Sequence, residues 1–136
     1  ELRGVGIQPE VLIVRTAQPM GEGVRRKLSL FCDVPPENII EAVDVRQSLY
    51  HIPLAMEEQG LADIVCRQLG LPVREADLED WKEMCRRVSS PAYRTVVAMV
   101  GKYMDLRDAY LSVTEALTHG GIANNAHIHG PAGPFP

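Results

Sequence analysis

Two short apolar runs separated by a helix-length segment constrain this chain more than any other feature. Val11-Leu12-Ile13-Val14 reads as a strand buried on both faces. Gln18-Pro19-Met20-Gly21 breaks it, and Val24, Leu28 and Phe31 then recur at helical spacing. Pro35-Pro36 is expected to end that helix, because proline excludes helical backbone around it. Ile39-Ile40-Glu41-Ala42-Val43 reads as a second strand. Strand, helix and strand in this order build a parallel sheet with helices on its faces.

The remaining chain falls into three blocks. Residues 48–71 read as helical, punctuated by Gly60 and closed by Gly70. Residues 72–93 read as a connection with its own helix. Asp77 is its expected cap, Leu78, Trp81, Cys85 and Val88 its apolar face, and Ser89-Ser90-Pro91 its stop. Thr95-Val96-Val97-Ala98-Met99-Val100 is the strongest strand signal, followed by a Gly101-Lys102-Tyr103 turn. Asp108 is then expected to cap a helix carrying Tyr110, Val113, Thr114 and Leu117, ended by Gly120-Gly121. The proline- and glycine-rich residues 127–136 are expected to be flexible.

Composition narrows the function classes. With 136 residues the chain makes one ordinary domain or pieces of two. Fourteen basic and 18 acidic residues give a net charge of −4, which argues against a basic nucleic-acid-binding surface but not against binding free nucleotides. Cys32, Cys66 and Cys85 are odd in number and widely spaced, so reduced thiols are expected rather than a disulfide framework or a zinc site. No run is long enough for a membrane span, and the N-terminus does not read as a signal peptide. It lacks an initiator methionine, which suggests a start within a longer protein.

Few residues point to chemistry by pattern alone. Arg15 follows the first strand, at the sheet edge where open α/β folds bind ligands, and an arginine there suits a phosphate or a purine edge. The plainer reading is a surface arginine. Arg25-Arg26-Lys27 could meet a triphosphate, or could simply form a solvated helix face. Phe31, one turn beyond Lys27, could border a nucleobase pocket or belong to the core. Gly101-Lys102-Tyr103 lacks the full phosphate-loop pattern and reads as a tight turn. His127-x-His129 has metal-compatible spacing, but no carboxylate or cysteine nearby completes a ligand set. His119, at a helix end, suits a bond to free carbonyls, and His51 carries no signal. No cysteine stands in a nucleophile context.

Four motifs stand in order along the chain: Glu1-Leu2-Arg3-Gly4-Val5-Gly6-Ile7-Gln8-Pro9, Lys27-Leu28-Ser29-Leu30-Phe31-Cys32-Asp33-Val34-Pro35, Leu49-Tyr50-His51-Ile52-Pro53 and Glu58-Gln59-Gly60-Leu61. With them the chain resembles the CTP synthase family over about residues 1–125. Val100-Gly101-Lys102-Tyr103 and the run from Asp108 to Leu117 resemble the start of that family's glutaminase domain.

The resemblance implies an α/β fold: a partial parallel sheet with flanking helices, a helical linker, then the first strand and helix of a second α/β domain. It implies an amidoligase portion at 1–71, a linker at 72–94, the start of a class I glutamine amidotransferase domain at 95–126, and an atypical tail at 127–136. The family forms CTP from UTP, ATP and glutamine, with Mg2+, in the cytoplasm and as a tetramer, without nucleic-acid or membrane partners. By resemblance, Arg15, Val43, Asp44 and Val45 bind ATP, and Lys27 and Phe31 bind the pyrimidine of UTP or CTP. The family's phosphate loop and magnesium carboxylates are expected upstream, and its Gly-x-Cys-Leu-Gly elbow downstream, so this segment alone is expected to hold no catalytic group. Where the family continues into a second strand, this chain has His129-Gly130-Pro131-Ala132-Gly133-Pro134, which is not expected to form one. A nucleotide-independent interaction or oligomerisation module is the alternative, and a regulatory nucleotide-binding domain ranks last.

Overall fold

A computed structural model of the chain describes residues 2–45, 48–103, 106–130 and 133–134. They divide into two units, Glu1–Asp77 and Leu78–Pro136, each with its own short parallel strand pair.

In the first unit a 3-10 helix at Leu2–Val5 leads into β1 (Leu12–Thr16), α1 (Glu22–Cys32), a 3-10 turn at Pro36–Asn38 and β2 (Ile39–Val43). β1 and β2 pair in parallel, Leu12 opposite Ile39 and Thr16 opposite Val43. The expected strand–helix–strand unit is therefore formed. Ile39 and Ile40 are almost fully buried, with Val34 and Ile64 also in the core. Buried Asn38 donates from Nδ2 to the Glu10 carbonyl at 2.9 Å, tying the approach to β1 onto the start of β2.

Two expectations here are corrected. β1 is not buried on both faces: Ile13 is 53% exposed, and Arg15 on the same face is exposed as well. Nor does Pro35-Pro36 end α1. Asp33 takes a left-handed φ of 54° and returns its N–H to the Ser29 carbonyl, closing the helix earlier. Pro36 instead opens the 3-10 turn, where its missing N–H costs nothing.

Past β2, a 3-10 turn at Leu49–His51 runs into α2 (Ile52–Glu58) and then α3 (Leu61–Gln68). Gly60 joins the two helices with a φ of 73°, a conformation that glycine adopts without a Cβ clash.

The second unit starts with α4 (Glu79–Ser89), whose N-cap position is held by Leu78 rather than the expected Asp77. Trp81, Cys85 and Val88 face inward as the spacing predicts, with Cys85 3% exposed. The chain continues through β3 (Tyr93–Val96), a 3-10 turn at Arg107–Tyr110, α5 (Leu111–Ala123), β4 (Ala126–Gly130) and β5 (Gly133–Pro134). β3 and β4 are parallel, Tyr93 opposite Ala126 and Val96 opposite His129, while β5 runs antiparallel to β4. Glu83 accepts from Arg86 and Arg87, which push its carboxyl down to about 2, and Arg87 also reaches the Ala123 carbonyl at 3.4 Å.

Three further expectations are corrected in this unit. The strand foreseen at 95–100 lies at 93–96, where it pairs with residues 126–129 of β4. Val97 adds one more bond, to the His129 carbonyl at 2.9 Å. The helix foreseen from Asp108 begins as a 3-10 turn and does not stop at Gly120-Gly121. Gly121 is buried where α5 crosses β4: a Cβ there would lie 2.6 Å from the Ala126 carbonyl oxygen and 2.7 Å from Ile128 Cγ1. The tail is not irregular throughout. Residues 126–130 contain no proline, so every N–H is available to a ladder, and they form β4. Among the described residues, no helix is long and apolar enough to cross a membrane.

Candidate functional site

Parallel pairing brings the carboxyl ends of β1 and β2 to one edge of the first unit. Arg15 stands opposite Ala42, and the Asp44 N–H adds a further bond to the Thr16 carbonyl at 2.8 Å. The Arg15 guanidinium projects from this edge, 83% exposed, and donates from Nε to Asp44 Oδ1 at 2.8 Å. That hydrogen bond, and then the Asp44 charge, raise the Arg15 pKa above its ordinary value. The cation is thus held in place and stays charged.

Residues 42–45 border two adjoining hollows, each of about 450 Å³. Arg15, Leu49 and Ile52 complete the first. Pro19, Arg25, Glu41, Ala55, Met56 and Gln59 belong to the second, which Ile52 also lines. In the first hollow apolar Val43, Val45, Leu49 and Ile52 stand beside the exposed guanidinium of Arg15, which is paired with Asp44, and a stretch of strand-end backbone. Such a combination suits a flat heteroaromatic ring with an anionic group attached. The structure therefore brings together Arg15, Val43, Asp44 and Val45, all four residues expected to form one site.

One member of this region was missed in the sequence. Glu41 lies in an otherwise apolar strand, with its side chain 15% exposed. Its Oε1 receives Arg25 Nη2 at 2.6 Å, and its Oε2 receives the Met20 N–H at 2.9 Å. The Gln59 amide accepts from the Glu41 N–H at 2.8 Å and donates to the Glu41 carbonyl at 2.9 Å, in the manner of a neighbouring strand. The available signal was a single carboxylate inside an apolar run, since a charge survives there only with partners.

The basic cluster on α1 divides. Arg25 turns inward to Glu41 and to the Ile39 carbonyl, whereas Arg26 and Lys27 are exposed. Lys27 and Arg26 line a shallow hollow of about 600 Å³ with Gly23, Ser29, Leu30 and Pro36. Phe31 does not line that hollow. It is 73% exposed rather than part of a core, and its carbonyl accepts from Arg3 Nη1 at 2.8 Å. Lys27 and Phe31 share one exposed helix face, one turn apart.

Elsewhere the chemistry is sparse. Lys102 sits 5.1 Å from the Tyr103 ring centroid, and Tyr103 has a φ of 64°, a turn rather than a phosphate loop. His127 Nδ1 and His129 Nε2 lie 2.6 Å apart on β4. His119 Nε2 is 4.0 Å from Glu115 Oε2, within α5 rather than at its end. Burial raises the Cys85 pKa, which makes it a poor nucleophile. Among the described residues no group of three or more histidine, cysteine or acidic side chains could hold a metal ion.

Comparison with known proteins points in one direction. The family model described as the CTP synthase N-terminus matches residues 1–71. The CTP synthase of Symbiobacterium thermophilum is 51% identical over 128 residues, covering 94% of this chain and 24% of the relative. That of Methanocaldococcus jannaschii is 47% identical over 129 residues, covering 95% and 24%. That of Streptococcus thermophilus is 49% identical over 128 residues, covering 94% and 24%. The chain therefore spans about a quarter of the length of these relatives.

Proposed function

The chain belongs to the CTP synthase family, and from that premise we propose that it is a segment of an ATP-dependent, glutamine-hydrolysing enzyme that aminates UTP to CTP. In that reaction ATP phosphorylates the uracil 4-oxygen, and ammonia released from glutamine displaces the phosphate. This segment contributes nucleotide contacts and no catalytic group. The observation that carries the reading is the strand-end constellation: Arg15 locked to Asp44 beside the hollow bordered by Val43 and Val45.

The adenine of ATP lies against the 43–45 backbone, with Arg15 supplying a donor at its edge. Lys27 takes an anionic or carbonyl oxygen of UTP, or of CTP as inhibitor, and Phe31 stacks in the same pyrimidine region, facing another subunit of a tetramer. Residues 1–71 end the amidoligase domain, 72–94 link it onward, and 95–126 begin the glutaminase domain. Mg2+ accompanies ATP, and its carboxylate ligands lie in the upstream part of the enzyme. The assembled enzyme works in the cytoplasm, without nucleic-acid or membrane partners.

The test is steady-state kinetics of the full-length protein. Arg15→Ala should raise the KM for ATP about ten-fold, the loss of roughly one charge-assisted hydrogen bond, with the KM for UTP unchanged. An unchanged KM for ATP would remove the strand-end cleft from ATP binding. Absence of UTP- and ATP-dependent CTP formation by the wild type would leave an interaction module as the better reading.

A further inference from the structure

We propose that Glu41 is a positioning residue for the nucleotide cleft, holding the β1–α1 loop against the strand ends that receive the purine. The inference rests on the ATP reading of that cleft. It deepens it by naming the residue that sets the cleft's width.

Three segments converge on this one residue. Its two carboxylate oxygens serve different elements: Oε1 takes Arg25 from α1, and Oε2 takes the Met20 N–H from the loop. Its backbone N–H and carbonyl are both engaged by Gln59, which also donates to the Ala55 carbonyl at 2.9 Å, so α2 is fastened at the same point. Pro19, the neighbour of Met20, lines the second hollow together with Val43 and Val45, which also border the hollow that holds Arg15. The Met20 bond therefore sets how far the Pro19 wall stands from the strand-end backbone.

A carboxylate fits this double role and an amide does not. Two acceptor oxygens face two donors, and replacing one oxygen by NH2 sets donor against donor. The apolar strand around Glu41 makes that mismatch costly, because little water is present to relieve it. Arg15 is reached by none of these bonds, so its own contribution to ATP binding can be measured separately.

The experiment compares Glu41→Gln with wild type in the full-length enzyme, varying ATP and UTP separately. The expected result is an ATP KM raised about ten-fold, with UTP KM and kcat within about two-fold, as for loss of one positioning hydrogen bond to a charged group. An unchanged ATP KM would overturn the proposal. So would equal changes in both KM values and kcat, which would mark a merely structural role. If Glu41→Gln does not fold, Glu41→Asp takes its place. It keeps the charge but withdraws the oxygens by one methylene, and the same selective rise is expected at about three-fold. Arg15→Ala separates the two levels of argument. If Arg15→Ala leaves the ATP KM unchanged, the ATP reading itself fails; if it raises that KM and the Glu41 variants do not, only this inference fails.

Discussion

Nε of Arg15 donates to Oδ1 of Asp44 at 2.8 Å across the carboxyl ends of two parallel strands. The two residues are 29 positions apart in the chain and meet because β1 and β2 are paired in register. Both side chains are exposed, so the pair contributes little to stability and its value lies in orienting a guanidinium.

That relationship predicts coupling. Asp44→Ala should raise the KM for ATP, but by less than Arg15→Ala, because the cation remains while its orientation is lost. The double variant should be no worse than Arg15→Ala alone. Strictly additive effects in the four-enzyme cycle would show that the two residues act independently.

Lys27 and Arg26 line the same hollow, yet only Lys27 carries the expected pyrimidine role. Lys27→Ala should raise the KM for UTP about ten-fold or more, and Arg26→Ala should change it less than two-fold. Equal effects from both would mean a diffuse basic face in place of a specific contact.

The crossing of α5 over β4 makes opposite predictions for neighbouring glycines. Gly121→Ala must push its Cβ away from the Ala126 carbonyl and Ile128, and should destabilise by about 1–3 kcal/mol. Gly120→Ala meets nothing within 4 Å in a helical position and should stabilise by about 0.5–1 kcal/mol. Urea midpoints of the two variants check this, and a shift of the same sign in both would refute the close approach.

The His127–His129 contact predicts pH dependence. At 2.6 Å one ring nitrogen must donate and the other accept, so both rings cannot be fully protonated there. Burial, then His129, then Arg94, hold the His127 pKa below its ordinary 6.5. With the folded value depressed, the unfolded chain takes up the proton first. Stability is present above pH 6.5 and is lost as the pH falls through the folded value. His127→Gln should remove that portion of the pH profile, measured as the difference in unfolding midpoint between pH 8 and the acid side. Superimposable profiles would count against the contact.

Periodicity and punctuation determined much of this protein. Alternating strand and helix signals around Val11–Val43, the glycines at 60 and 70, and the apolar face of α4 are properties of adjacent residues, so local physics sufficed for them. Arg15 was legible as a strand-end cation, and the resemblance supplied Lys27 and Phe31. The end of β3, the course of α5 and the strand at 126–130 were not legible, because each depends on a distant partner. β3 ends opposite His129 of β4, Gly121 leaves the room in which Ala126 and Ile128 approach the helix, and β4 forms because β3 offers an edge. Glu41 shows the same division. Its charge in an apolar run was visible in the sequence, but Met20, Arg25 and Gln59 became its partners only when three separate segments were folded onto one strand.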